Sequence, residues 1–227
     1  MSSIYQRVLG AEFERLHPRI QERFALTSAG GRGAIGRGVM DEVWRGRFYT
    51  LPFLYLGTRR NIMFPERGRN IPFEIENWAY RDSLGRETVA WLRTFHPAHR
   101  SRARRFDAYM IHSEQRGRLV DYLGTHQHLA VDLDLSVDER GGLRLRSGAQ
   151  RFYEGPLAFR FPMFLSGRAD VSEWFDDATG RYRIQVDVTN RIWGPLFGYR
   201  GSFDVEWIQA PNGPPDSARP KREERRE

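Results

Sequence analysis

Between Ile71 and Ile208 the chain repeatedly alternates apolar with polar residues, the period of a strand with one buried face. Ile71 to Tyr80 sets Ile71, Phe73 and Ile75 on one face. The turn Arg81-Asp82-Ser83-Leu84-Gly85-Arg86 then leads into a second strand from Glu87 to His96. A third strand is predicted over Arg104 to His112. A long extended segment starts at Arg118, bends at Gly124 and continues to Val137, and Leu143 to Phe152 follows it. Arg168 to Asp176 and Arg181 to Asn190 form a hairpin around Asp177-Ala178-Thr179-Gly180, and Tyr199 to Ile208 is the last strand. A symmetric turn at Asp138 to Gly142 would set Asp134 opposite Arg146 and Ser136 opposite Arg144. Leu133, Leu135, Leu143 and Leu145 would then share the buried face. About eight strands joined by short turns predict a meander, sandwich or barrel, and no βαβ spacing points to a parallel sheet.

Residues 4–26 carry a different period. Tyr5, Val8, Leu9, Phe13 and Leu16 recur near helical spacing, broken into short pieces by Gly10 and the His17-Pro18 step. Ser28 to Gly38 holds five glycines and reads as a flexible loop. It lacks the Gly-Lys-Ser/Thr ending of a phosphate-cradling loop, and no apolar strand precedes it. The organisation expected is one β-rich α+β domain over residues 1–210. It comprises an N-terminal helical segment (1–27), a Gly/Arg-rich connecting region (28–69) and a strongly curved antiparallel sheet or open barrel (70–210), with the helices packed against it. Residues 211–227, opened by Pro211-Asn212-Gly213-Pro214-Pro215, read as a disordered charged tail.

Composition narrows the function classes. Of 227 residues, 40% are hydrophobic and 13% aromatic, enough for a sizeable core. No run of apolar residues is long enough to span a membrane, and Met1-Ser2-Ser3-Ile4 lacks a secretory pattern, so a cytoplasmic address is expected. With no cysteine, thiol and disulfide chemistry are excluded, and a metal would need histidines and carboxylates. The net charge of +7 is carried almost entirely by arginine, since Lys221 is the only lysine. The excess sits in two stretches. Eight arginines face three acids between Ser28 and Arg69, and five face none between Arg93 and Arg105. Arginine usage on this scale can reflect coding bias, so nucleic acid is disfavoured as a partner.

Candidate chemistry is sparse. Five of the six histidines fall between His96 and His128. With hairpins centred near residues 100 and 115, His96, Arg104 and His126 would form a row across three strands, able to grip an anionic group. Arg104 between the histidines argues against zinc, and no metal or other cofactor is expected. Trp91-Leu92-Arg93-Thr94-Phe95 puts Arg93 on the face of Trp91 and Phe95, either ion-paired, with Glu74 or Glu76 as candidates, or lining a cavity. Two apolar loops share a pattern: Gly155-Pro156-Leu157-Ala158-Phe159, running on to Phe164, and Gly194-Pro195-Leu196-Phe197-Gly198, led by Trp193 and followed by Tyr199. Such loops fold over a core or rim a pocket for a greasy ligand. Ser113 lacks a nucleophile context, and Asp176-Asp177 are ordinary turn acids. No catalytic set emerges.

Ile4-Tyr5-Gln6-Arg7-Val8-Leu9-Gly10, Leu16-His17-Pro18, Trp91-Leu92-Arg93-Thr94-Phe95, Val120-Asp121-Tyr122-Leu123-Gly124, Gly141-Gly142-Leu143 and Gly198-Tyr199-Arg200-Gly201 together resemble a bacterial family of unknown function, DUF4166. The resemblance implies a single intact domain, found alone or fused behind a reductase-like Rossmann domain. It brings no activity with it. The leading expectation is a non-catalytic binding domain for a hydrophobic or amphipathic acidic small molecule, lipid-like in kind. The anion would be held by Arg93, His96, Arg104 and His126, under a rim of Trp91, Phe159, Phe164, Trp193, Phe197 and Tyr199. The alternatives are an enzyme acting on an anionic substrate through the His/Arg row, and an interaction module for a reductase-like protein in trans.

Overall fold

The computed structural model describes residues 1–98, 102–162 and 166–227. Eleven strands build one antiparallel sheet: β1 Arg32–Arg45, β2 Gly68–Arg81, β3 Glu87–Phe95, β4 Arg104–Ser113, β5 Arg118–Leu123, β6 Leu129–Val137, β7 Leu143–Glu154, β8 Leu157–Arg160, β9 Arg168–Asp176, β10 Arg181–Asn190 and β11 Gly194–Gln209. They lie in the order β6-β5-β4-β3-β2-β1-β11-β10-β9-β7-β8, and β6 also pairs with β7. That last pairing closes ten strands into a ring, with β8 attached to β7 outside it. The barrel is closed rather than open.

Period-two patterning does the sorting. On β2, Ile71, Phe73 and Ile75 are buried inside, while Glu74 faces out to Arg37. The register read from the β6–β7 turn is observed, with Asp134 opposite Arg146 and Ser136 opposite Arg144. The ion pairs run to other neighbours: Asp134 meets Arg118, and Arg144 and Arg146 both meet Asp170 of β9. Each strand has two neighbours: Asp134 and Arg146 take the charge opposite them on the other side, and only Arg144 reaches its acid diagonally.

The N-terminal helices plug one end of the ring. Helices α1 (Ile4–Leu9) and α2 (Pro18–Phe24) are short because Gly10 caps the first at φ 53° and Pro18 opens the second. Ile4, Tyr5, Ile20 and Phe24 are buried, and Phe24 packs 5.8 Å from the Trp91 ring. A third helix, α3 (Leu51–Thr58), stands at the opposite end, where Phe64 beside it packs on Phe95 and Phe197.

Three expectations are corrected. Residues 28–69 are not a connecting region, because β1 and α3 lie within them and β1 pairs with both β2 and β11. Its glycines are not there for flexibility. A Cβ at Gly33 would strike the Trp78 ring, one at Gly36 would lie 2.6 Å from Phe203, and one at Gly38 would strike the Ser202 carbonyl. Gly38→Ala is therefore expected to cost about 2–3 kcal/mol, as overpacking against backbone does, measured by urea unfolding. Gly124, at φ 76°, does not bend a continuous strand but helps reverse it, so that β5 and β6 pair. Finally, residues 211–227 are not loose. The outer face of the β2–β7 arc carries a second apolar cluster including Tyr80, Leu92, Tyr109, Ile111, Val120 and Tyr122, and Ala218 of the tail is buried in it. Arg219 lies over the Tyr80 ring and Arg226 over Tyr153. Charge alone suggested disorder, yet an apolar outer face requires a cover.

Candidate functional site

The ring encloses a cavity of about 590 Å³. Alternation supplies its walls: Leu123, Leu129, Val131, Leu133 and Leu145 from β5 to β7, and Val171, Val186 and Val188 from β9 and β10. Trp91 and Met110 also line it, and they rest on Phe24 and on Tyr5, whose hydroxyl lies 3.4 Å from the Met110 sulfur. The mouth lies beside α3, where Tyr49, Phe53 and Trp193 line the opening and the Tyr49 hydroxyl donates to the Trp193 carbonyl.

Six polar side chains border this space besides those at the mouth. Four are occupied in holding the wall: Gln150 donates to the Gly167 carbonyl at 2.6 Å and accepts from Ser166, Asn190 donates to the Ser166 carbonyl, and Ser147 accepts from the Ala169 amide at 2.7 Å. Arg93 and Asp121 remain. The Arg93 Nε donates to the Phe106 carbonyl at 3.1 Å and Nη1 to the Tyr199 hydroxyl at 3.2 Å, with the guanidinium 3.8 Å from the Phe106 ring centroid. Among the described residues it makes no ion pair, and Nη2 makes no hydrogen bond. Asp121 stands in the inward phase of β5 between Leu119 and Leu123, and its Oδ1 has no partner. Burial pushes its carboxyl up from 3.8 to about 7, against the pull of the Arg93 charge. The cavity therefore offers one cation with a free donor, beside an acid that is partly neutral near pH 7.

The other residues singled out from sequence are dispersed. Glu74 and Glu76 are outside the barrel, on Arg37 and on the Trp78 indole, so neither pairs with Arg93. The His96-Arg104-His126 row is not assembled: Phe95, not His96, stands opposite Arg104, and that one-residue offset turns His96 to the other face. Arg104 is held by Glu66 at 2.7 Å, and His126 lies past the end of β5, stacked on His128. None of the three lines the cavity. Phe197 and Tyr199 are buried behind the wall, and Phe159 sits on β8 against Phe152 and does not line the cavity. Phe164 lies outside the described residues. Trp91, Arg93 and Trp193 do line the cavity. Sequence reasoning missed Asp121 and all of α3. An acid at an inward position between two leucines was a usable signal, whereas α3, with its Pro-Phe-Leu-Tyr-Leu run, has no polar face to reveal a period.

Among the described residues no three His, Asp or Glu side chains gather to hold a metal ion, and no helix is long and apolar enough to cross a membrane.

The family described as "Domain of unknown function (DUF4166)" matches this chain over residues 16–203. The chain belongs to the DUF4166 family. It is also similar to the "Uncharacterized protein YndH" of Bacillus subtilis (strain 168), 34% identical over 206 residues, which cover 91% of this chain and 98% of that protein. No solved structure matches. The DUF4166 match takes in α2 and the barrel strands as far as Phe203, so the cavity-lining residues named above fall inside it.

Proposed function

We propose that this DUF4166 domain is a non-catalytic container for an amphipathic acidic small molecule, its apolar body inside the barrel and its acid on Arg93. The observation that carries the reading is an arginine inside an apolar cavity of about 590 Å³, with a free Nη2 and no carboxylate partner among the described residues. Cavities of about 300–1,000 Å³ with few convergent polar groups suit molecules of lipid or drug size. An unpaired guanidinium in such a place gains most from an anion that brings its own apolar cover.

Native mass spectrometry of gently purified protein, followed by organic extraction, is expected to show a stoichiometric acidic ligand. Arg93→Met should weaken a long-chain carboxylic acid by about 10–100-fold, the range of a lost charge-assisted hydrogen bond. It should weaken the corresponding alcohol by far less. Titration of both variants with both ligands decides the matter: an equal loss for acid and alcohol would mean that Arg93 supports the wall and does not read the headgroup.

A further inference from the structure

The cavity mouth is apolar on its outside as well. Phe48, Leu56 and Ile192 are 75%, 64% and 66% exposed and do not line the cavity. They stand beside Phe53 and Trp193, which line the opening while remaining 72% and 46% exposed. Five large apolar side chains thus project from the segment Phe48–Leu56 and from the β10–β11 turn at one end of the barrel. The two elements are tied together there by Tyr49, whose ring also packs 5.5 Å from Trp193.

Among the described residues the exposed charge at this tip is basic, and the acids Glu66 and Asp107 next to it are half-buried and buried and paired with Arg104 and Arg105. Arg47, Arg59 and Arg191 are exposed beside the tip and Arg60 is half-buried, and none has an ion-pair partner among the described residues. Residues 43–65 and 188–203 contain no Asp or Glu. Elsewhere on the barrel wall several arginines are matched by acids, Arg37 by Glu74 and Glu206, Arg144 by Asp170, Arg181 by Asp204 and Arg200 by Glu42, although among the described residues Arg32 and Arg81 are not. The tip differs from that wall in carrying exposed arginines with no Asp or Glu in either of its segments.

We infer that the barrel mouth docks onto an anionic lipid bilayer, with Phe48, Leu56 and Ile192 entering the interface and Arg47, Arg59 and Arg191 meeting lipid phosphates. Exposed aromatic and aliphatic tips with flanking cations are the composition of interfacial membrane contacts. The patch is continuous with the apolar interior, so an amphipathic ligand would pass from bilayer to cavity without crossing water. In that respect the inference deepens the container reading, which supplies the cargo.

The test is co-sedimentation of the full chain with vesicles at about 0.1 M salt, where charges are screened beyond about 10 Å. Binding is expected to an equimolar mixture of phosphatidylcholine and phosphatidylglycerol, and not to phosphatidylcholine alone. Removing three surface arginines (Arg47→Gln, Arg59→Gln, Arg191→Gln) should reduce the partition coefficient on the order of 100-fold, about fivefold for each cation near an anionic surface. Phe48→Ser with Leu56→Ser and Ile192→Ser should reduce it at least about tenfold. All six side chains are exposed, and circular dichroism verifies that the variants fold. A folded parent that ignores the anionic vesicles overturns the proposal. So does sedimentation equilibrium showing a dimer that the serine variant dissolves, since the patch would then cover a second copy. A soluble short-chain acid, titrated without vesicles, reads the cavity separately. Docking without acid binding sinks the container reading alone, and acid binding without docking sinks this one alone.

Discussion

At pH 8 the Asp121→Asn variant is expected to be more stable than the parent by about 2–4 kcal/mol, and at pH 4 the two should be nearly equal. Asp121 ordinarily loses its proton near 3.8, but inside the barrel it holds the proton up to about 7. Between those values the folded chain binds more protons than the unfolded one, so stability falls as pH rises. The penalty is absent below about pH 4, grows until about pH 7 and is constant above. Three pH units at about 1.4 kcal/mol each set its ceiling near 4 kcal/mol. Urea unfolding of both proteins at pH 4, 6 and 8 measures it, and a difference independent of pH would show that Asp121 titrates alike in the folded and unfolded chains. The same group should govern binding. An ionised Asp121 competes with a ligand's carboxylate for Arg93, so affinity should fall as pH rises past about 7, and Asp121→Asn should remove that fall. A destabilising acid kept beside a cation is the kind of local cost that functional sites carry.

The second large effect belongs to the plug. Arg23 of α2 and Glu173 of β9 form an ion pair, both fully buried, with the guanidinium 5.0 Å from the Phe203 ring centroid. Burial raises the Glu173 carboxyl against the opposing pull of Arg23. Arg23→Met leaves that carboxylate without its countercharge and is expected to cost about 3–5 kcal/mol. Adding Glu173→Leu should recover most of the loss, because the desolvation cost leaves with the second charge. A double-mutant cycle in urea gives the coupling directly, and additive losses would mean that the two side chains act only as filler. The penalty of the single variant should also shrink in acid, where Glu173 can be neutral.

Strands with apolar and polar alternation were legible from the chain, and so were the turns between them. The β6–β7 register followed from one symmetric turn. What escaped was held by information that alternation lacks. β1 looked like a loop because Gly33, Gly36 and Gly38 make room for side chains of neighbouring strands, a reason visible only once Trp78, Phe203 and Ser202 are in place. Closure depended on counting β1 and on separating β5 from β6, so a ring read as an open sheet. At the site, Arg93 was placed correctly on the inward face with Trp91 and Phe95, but its surroundings are a carbonyl, a phenol and a ring, not the glutamates of the adjacent strand. The histidine row failed on a one-residue offset, the smallest error a strand pairing can contain and the one that reverses every side chain.

If the barrel is a container, ring closure would also set the kinetics of its guest. Between neighbouring strands of the ring the backbone is paired, so among the described residues no lateral seam is open to a bulky guest. At the α1–α2 end the plug is packed and ion-paired to the wall. Traffic is left to the other end, where the residues after α3 are fastened by the Arg60 carbonyl accepting from the Thr125 amide of the β5–β6 loop and the Asn61 carbonyl accepting from the Asp107 amide of β4. Residence time of such a guest should then follow the hinging of this short segment against those two bonds and the Tyr49–Trp193 tie, so that a weakly bound guest leaves slowly.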